Sequence, residues 1–310
     1  MSSAEGELRR DALTGEWVTI VGGRQDRPYL PDDACPFCVG GLEAHEPYTV
    51  RAFTNRWPPF TAGAPLGGAA GLATGADRLP AHGAAEIVLY TPEHDASFAS
   101  LGVDGVRRVI DLWAERTTAL LARPDVAYVL VLENRGREVG TTIDHPHGQI
   151  YGFPFVPPVP AREAAVASEQ GCPICSEVTR ERAAAARVVV DGDGCLAWVP
   201  FASAWPYGLL VAPVDHVAGL PSLTDVARTG LAATLVDALG RYDRLFDTPL
   251  PYMLWVHQQP GEAGAHLHVH VAPPWRGPSV MRHVAAAELG SGTLFNPVEP
   301  ERAAAQLRSV

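Results

Sequence analysis

His145-Pro146-His147-Gly148-Gln149-Ile150 and His266-Leu267-His268-Val269-His270-Val271 are two copies of one pattern, with a histidine or an amide at every second position and small or apolar residues between them. On a strand alternate side chains share a face, so His145, His147 and Gln149 can point together into one site, as can His266, His268 and His270. A lone histidine is usually a packed or exposed side chain. Two aligned runs at the ends of matching segments do not fit that reading. Working outward, each run is preceded by the same signals in the same order. The first half carries Cys35-Pro36-Phe37-Cys38 and then Glu86-Ile87-Val88-Leu89-Tyr90-Thr91-Pro92-Glu93-His94; the second carries Cys172-Pro173-Ile174-Cys175 and then Leu209-Leu210-Val211-Ala212-Pro213-Val214-Asp215-His216. In both halves about 50 residues separate the strand-end histidine from the histidine run. The chain reads as one unit duplicated.

Within each unit short apolar β-rich runs, 126–132 and 253–256 among them, look like strands bounded by turns. Between them, 104–122 and 222–246 space their apolar residues as a helix does. One long helix per half among several strands predicts an α+β fold with mainly antiparallel sheet, divided into units 1–160 and 161–310. The proline-rich stretch 154–160 reads as an extended crossing between the halves, unable to be central strand or helix. The alanines at 183–186 read as helix.

With 310 residues the chain can bury a sizeable core without disulfide staples. A net charge of -11 argues against a nucleic-acid surface, which needs a basic face to displace counterions. The start of the chain is polar, and no window of 18 apolar residues occurs, so neither an export signal nor a membrane span is expected and a cytoplasmic enzyme is. Four of the five cysteines form the two C-x-x-C pairs, which in that setting point to metal or redox chemistry before disulfides. The fifth, Cys195, reads as a buried strand residue.

At this point the sequence resembles the histidine-triad superfamily and, within it, the galactose-1-phosphate uridylyltransferase family over nearly the whole chain. The resemblance rests on Asp11-Ala12-Leu13-Thr14-Gly15-Glu16-Trp17-Val18, Arg24-Gln25-Asp26-Arg27-Pro28, Phe53-Thr54-Asn55-Arg56, Glu133-Asn134-Arg135-Gly136, Gly140-Thr141-Thr142 and the His-Pro-His-Gly-Gln run, six signals in the family's order. It implies two histidine-triad-type half-barrel units per subunit and a homodimer with sites at the subunit boundary. It also implies transfer of UMP from UDP-glucose to galactose 1-phosphate, with His147 as nucleophile and Gln149 as its phosphoryl partner. Gly140, Thr141 and Thr142 would line the phosphate subsite, although many members have Cys-Ser where this chain has Thr141-Thr142. Asn134 and Asn55 match nucleotide-site residues, with Arg56 replacing an acidic residue often found there. Arg24 and Arg27 match a pair that reaches substrate phosphate from the neighbouring subunit, and Glu288 matches a hexose contact.

The chemistry agrees with that reading. A neutral imidazole is a good nucleophile toward phosphorus near neutral pH, and the N–P bond it forms stays reactive enough to pass the group on. Gln149 stands where related triad hydrolases carry a third histidine, which would help protonate a leaving alcohol or amine. A sugar phosphate leaves as a stable anion. An amide donor to the phosphoryl oxygen then suffices.

Cys35, Cys38, His94 and His145 form a Cys₂His₂ set, the soft tetrahedral donor set that selects zinc, and they match the family's structural zinc site. Four protein ligands leave no position for substrate, so the metal would hold the His145 strand in place. A redox C-x-x-C is the rival, disfavoured because no βαβ pattern precedes it. Duplication predicts a second set from Cys172, Cys175, His216 and His266. The resemblance also implies a Glu/His₃ set, here Glu163, His257, His268 and His270. Softness and duplication favour the cysteines, and zinc or iron is the second metal. A related nucleotidyltransferase or phosphorylase using adenylyl donors is the rival function; a noncatalytic zinc-binding adaptor is another, with no reason to keep His147, Gln149 and the phosphate-subsite residues together.

Overall fold

The computed structural model describes residues 6–22, 35–67, 72, 75–259 and 264–310. Its main layer is one open antiparallel sheet of nine strands in the order β3-β5-β7-β6-β11-β12-β10-β9-β8. The first half supplies β3 (Arg51–Thr54), β5 (Ala84–Leu89), β6 (Tyr128–Arg135) and β7 (His147–Phe153); the second supplies β8 (Val188–Asp191), β9 (Cys195–Trp198), β10 (Leu209–Pro213), β11 (Tyr252–His257) and β12 (His268–Ala272). From the β6–β11 seam outward the two halves repeat: β7 and β12 carry the histidine runs, β5 and β10 lie next, then β3 and β9. The two units share one sheet, which is not closed into a barrel.

Two long helices cover the sheet. α1 (Gly102–Leu121) joins β5 to β6, and α4 (Asp225–Leu245) joins β10 to β11. They bury the predicted apolar stripes, Val106, Val109, Ile110 and Trp113 in one and Leu231, Leu235 and Leu239 in the other, in a core cluster that runs through both halves. That core is the main driving force for the fold, since apolar burial scales with area. Across the seam Arg107 of α1 pairs with Asp225 at 2.8 Å, and Arg228 of α4 pairs with Asp111 at 2.9 Å. Cys195 is fully buried on β9, as expected.

The proline stretch corrects an expectation. Residues 154–157 are irregular, but Pro158 opens α2 (Pro158–Gln170), and α3 (Pro173–Ala184) likewise begins at a proline. Proline is tolerated in a helix's first turn, where its missing N–H has no intrahelical partner to lose. Smaller elements complete the chain: a three-stranded sheet of β1 (Glu7–Arg10), β2 (Trp17–Ile20) and β4 (Arg78–Pro80), a hairpin of β13 (Trp275–Gly277) and β14 (Val280–Met281), and helices α5 (Ala286–Ser291) and α6 (Pro300–Arg308).

Candidate active site

β7 alternates half-buried and buried residues, which puts His147, Gln149 and Tyr151 on one face of the sheet and Gly148 and Ile150 on the other. The His147 ring lies with its centroid 5.0 Å from that of Phe37, inside the Cys35–Cys38 turn. Its Nδ1–H donates to the carbonyl of His145 at 2.8 Å, which puts the lone pair on Nε2. Tyr151 donates its hydroxyl to Oε1 of Gln149 at 2.8 Å, so the amide presents its NH₂ end elsewhere. Tyr151 was not singled out in the sequence, although the alternation that placed Gln149 beside His147 extends to it.

Beneath the strand, Gly148 is required by its neighbours: a Cβ there would lie 2.0 Å from the Tyr90 hydroxyl and 2.9 Å from the Leu132 carbonyl. Tyr252 donates to Oε1 of the buried Glu133 at 3.0 Å. Burial pushes Glu133 up to about 7, with Tyr252, Arg135 and Tyr90 offsetting part of that rise. Glu133 and Tyr90 stand behind the site, Glu133 on the buried face of β6 with Val129 and Val131, and the sequence assigned neither of them a role.

Among the expected substrate residues, Asn134 follows Glu133 on β6, and Thr141 donates its hydroxyl to the Asn134 carbonyl at 2.6 Å. Gly140 takes φ +86°, a left-handed turn that suits glycine, just before Thr141 and Thr142. Asn55, buried, lines a cavity of about 110 Å³ with Phe37, Phe53, Ile87 and Ile143, and its Oδ1 accepts from the Trp57 N–H at 2.9 Å. Arg56 pairs with Glu43 at the rim, at 2.8 Å. Glu288 is buried and engaged: its carboxylate takes hydrogen bonds from Arg282 and from the backbone N–H groups of Ala285 and Phe295, closing the turn at α5. Arg24 and Arg27 lie outside the described residues.

The three predicted donor sets all assemble, each with its ligand atoms within 4.8 Å of one another. Cys38 Sγ lies 3.4 Å from His94 Nδ1 and 3.6 Å from His145 Nδ1. His266 Nδ1 lies 3.3 Å from Cys172 Sγ and 3.4 Å from Cys175 Sγ, and His216 Nδ1 is 3.4 Å from Cys175 Sγ. Neighbouring ligands on a zinc tetrahedron stand about 3.3–3.8 Å apart, given the usual Zn–S and Zn–N bonds, so both sets fit that ion. In each set the buried histidine has its other nitrogen fixed by a carbonyl: His145 Nε2 donates to Thr91 at 2.8 Å and His266 Nε2 to Pro213 at 3.0 Å. These outer partners turn Nδ1 toward the cysteines. Burial pushes the Cys175 thiol up to about 11, so a cation is what would make it a thiolate at neutral pH.

In the third set Oε2 of Glu163, on α2, sits 2.9 Å from His257 Nδ1 and 3.6 Å from His268 Nε2, and Oε1 sits 3.8 Å from His270 Nε2. His268 Nδ1 donates to the His266 carbonyl at 2.8 Å, repeating the His147 arrangement. Burial raises the Glu163 carboxyl, but the His257 and His268 side chains that face it overcome this and hold it well below the usual carboxylate range. His270 Nε2 is buried without a hydrogen-bond partner, as a metal ligand would be before its ion is added. Carboxylate and imidazole donors suit iron or zinc. The cysteine set and the Glu/His set are therefore both formed, where the sequence favoured one.

The fold and site define a two-unit α+β protein whose histidine runs lie on β7 and β12, the strands that flank the central β6–β11 pair. The chain belongs to the galactose-1-phosphate uridyl transferase family, whose N-terminal domain matches residues 43–157 and whose C-terminal domain matches 164–310. It is 35% identical to the galactose-1-phosphate uridylyltransferase of Thermotoga maritima, over 97% of this chain and 98% of that one. It is 33% identical to the Streptomyces lividans enzyme of the same name, over 98% and 87%. A solved uridylyltransferase superposes with a TM-score of 0.86 at 30% identity, covering 98% of this chain and 97% of its own. An ADP-glucose phosphorylase from Arabidopsis thaliana shares the fold, with a TM-score of 0.75 at 24% identity over 98% and 99%. Among the described residues no helix is long and apolar enough to cross a membrane.

Proposed function

We propose that the chain transfers UMP from UDP-glucose to galactose 1-phosphate through a uridylyl group carried on His147. The observation that carries this reading is the hydrogen bond from His147 Nδ1–H to the His145 carbonyl, which puts the lone pair on Nε2 beside Gln149. In the first half-reaction that lone pair attacks the α-phosphorus of UDP-glucose. The bond from phosphorus to the bridging oxygen breaks, and glucose 1-phosphate leaves as a stable anion. Galactose 1-phosphate then attacks through a phosphate oxygen, the N–P bond breaks, and UDP-galactose departs. Gln149, with its carbonyl held by Tyr151, gives its N–H to a phosphoryl oxygen as negative charge builds there. Asn134 and the Gly140–Thr142 turn line the phosphates, and Asn55 with its apolar cavity takes the uracil end.

Arg24 and Arg27 act on substrate phosphate from the partner subunit of a homodimer, where their forked guanidiniums can pair two oxygens at once. Glu288 reaches the hexose through the loop it holds. Units 1–160 and 161–310 act as reactive and supporting halves in the cytoplasm. Zinc in the Cys35/Cys38/His94/His145 set would anchor the start of β7, and four protein donors leave it no catalytic position. Metal in the two sets of the second half, zinc with the cysteines and zinc or iron with Glu163, would play the same structural part.

The test offers UDP-glucose and ADP-glucose separately with galactose 1-phosphate. Release of glucose 1-phosphate from UDP-glucose alone, with matching formation of UDP-galactose, is the expected result; turnover of ADP-glucose alone would overturn the reading.

A further inference from the structure

The second unit has its own counterpart of the cavity that holds Asn55, and nothing in the uridylyl-transfer reaction uses it. It measures about 380 Å³, within the range of small-molecule sites. The two cavities have equivalent walls. In the first unit Ile87 lies opposite Gln149, Phe37 sits within the C-x-x-C turn, and Ile143 stands two residues before the histidine run. In the second, Leu210 lies opposite His270, Ile174 sits within its C-x-x-C turn, and Gly264 stands two residues before its run. Isoleucine for phenylalanine and glycine for isoleucine explain why the second cavity is larger. Polar groups also recur in the linings, Glu43 and Asn55 in one and Glu177 and Gln259 in the other.

One difference decides what could bind. At the end where the first unit would receive phosphate, α2 places the Glu163 carboxylate against His257, His268 and His270. An acid therefore already stands on the second histidine run where a phosphate would stand. A nucleotide phosphate would meet space already filled by that carboxylate and its histidines, while an uncharged planar base would meet walls that are mainly apolar. We infer that the cavity between α2 and β10 is a second, non-reactive pocket for an uncharged nucleobase or nucleoside. This rests on reading the first-unit cavity as the uridine site.

The experiment uses full-length, metal-loaded protein with the first site saturated by UDP, and measures binding of labelled uridine and labelled adenosine by equilibrium dialysis. One nucleoside per chain should bind in the presence of UDP, with the two probes showing which base fits. Val166→Trp, at an exposed wall position, and Leu210→Trp, at a half-buried one, should each weaken it by about tenfold or more, equivalent to about 1.4 kcal/mol. UDP binding and hexose phosphate exchange should not change. Absence of saturable nucleoside binding at millimolar concentration, its displacement by UDP, or its survival in both folded variants would overturn the inference. A direct UDP titration of the same protein is the separate readout of the first site.

Discussion

Glu133 is a carboxyl with no room for charge. Its folded-state value of about 7 lies above that of an unfolded glutamate, near 4.5, so between those values the folded chain keeps a proton that the unfolded chain releases. Stability from this group is fully present below about 4.5 and falls as pH rises to about 7. Glu133→Gln, neutral at every pH, should remove that slope and leave the variant more stable at pH 8 by up to about 3 kcal/mol. Denaturant titrations from pH 5 to 8 measure it; an unchanged slope would mean that the carboxyl is ionised in the fold.

Gln149 carries the selectivity between transfer and hydrolysis. An amide cannot act as a base at neutral pH, so water attacking the uridylyl group receives no help in losing its proton, and a sugar phosphate needs none. Gln149→His places a group with a pKa near 6.5 beside the phosphorus. The isolated uridylyl-enzyme should then decay faster in water, by about 10-fold or more, while exchange slows. Equal lifetimes for variant and wild type would reduce the amide to a positioning group. Gln149 and His147 were legible in the sequence because a strand's alternation is strict. Tyr151 lay on that same face and could have been read; the meeting of Glu133 with Tyr90 could not, since only the folded sheet brings β6 and the end of β5 together behind Gly148.

At the scale of elements, β7 is held from below and from its start. Gly148→Ala would drive a methyl group into the Tyr90 hydroxyl and the Leu132 carbonyl. A loss of about 1–3 kcal/mol is expected from such overpacking, and Tyr90→Phe in the same chain should recover part of it. Thermal unfolding of the single and double variants decides this. If the double variant recovers nothing, the backbone contact with Leu132 is the whole obstacle.

The start of β7 is tied through His145 to the Cys35–Cys38 turn and to His94 beyond β5, three segments distant in sequence. Cys35→Ser or His94→Ala should cost one equivalent of metal and lower the melting temperature, while transfer falls only in proportion to unfolded protein. Elemental analysis beside activity per folded chain checks this, and a folded, zinc-depleted variant without activity would make the metal catalytic. Element boundaries were less legible than ligands. The prolines at 157, 158 and 160 suggested a crossing, but a helix can begin at a proline, and only the packing of Glu163 toward the second histidine run marks α2 as part of a site.

Across the whole molecule the duplication accounts for most of what could be read in advance. Repeated cysteine pairs and histidine runs predicted paired units and two of the metal sets, because each ligand recurs at the same offset. The joining of both units into one sheet through β6 and β11 had no such signal, since strand pairing between units depends on edges that no motif marks. That joined sheet sets two histidine runs in similar backbone frames with different fates. His147 is flanked by an amide, whereas His268 faces the Glu163 carboxylate. Reactivity is therefore expected in one half only.

Intact-mass spectrometry after mixing the protein with UDP-glucose alone tests that asymmetry and the transfer mechanism together. The account predicts one added uridylyl group per chain, located on His147, absent from His147→Ala and discharged by galactose 1-phosphate. A uridylyl group on His268, or full exchange by His147→Ala, would contradict it.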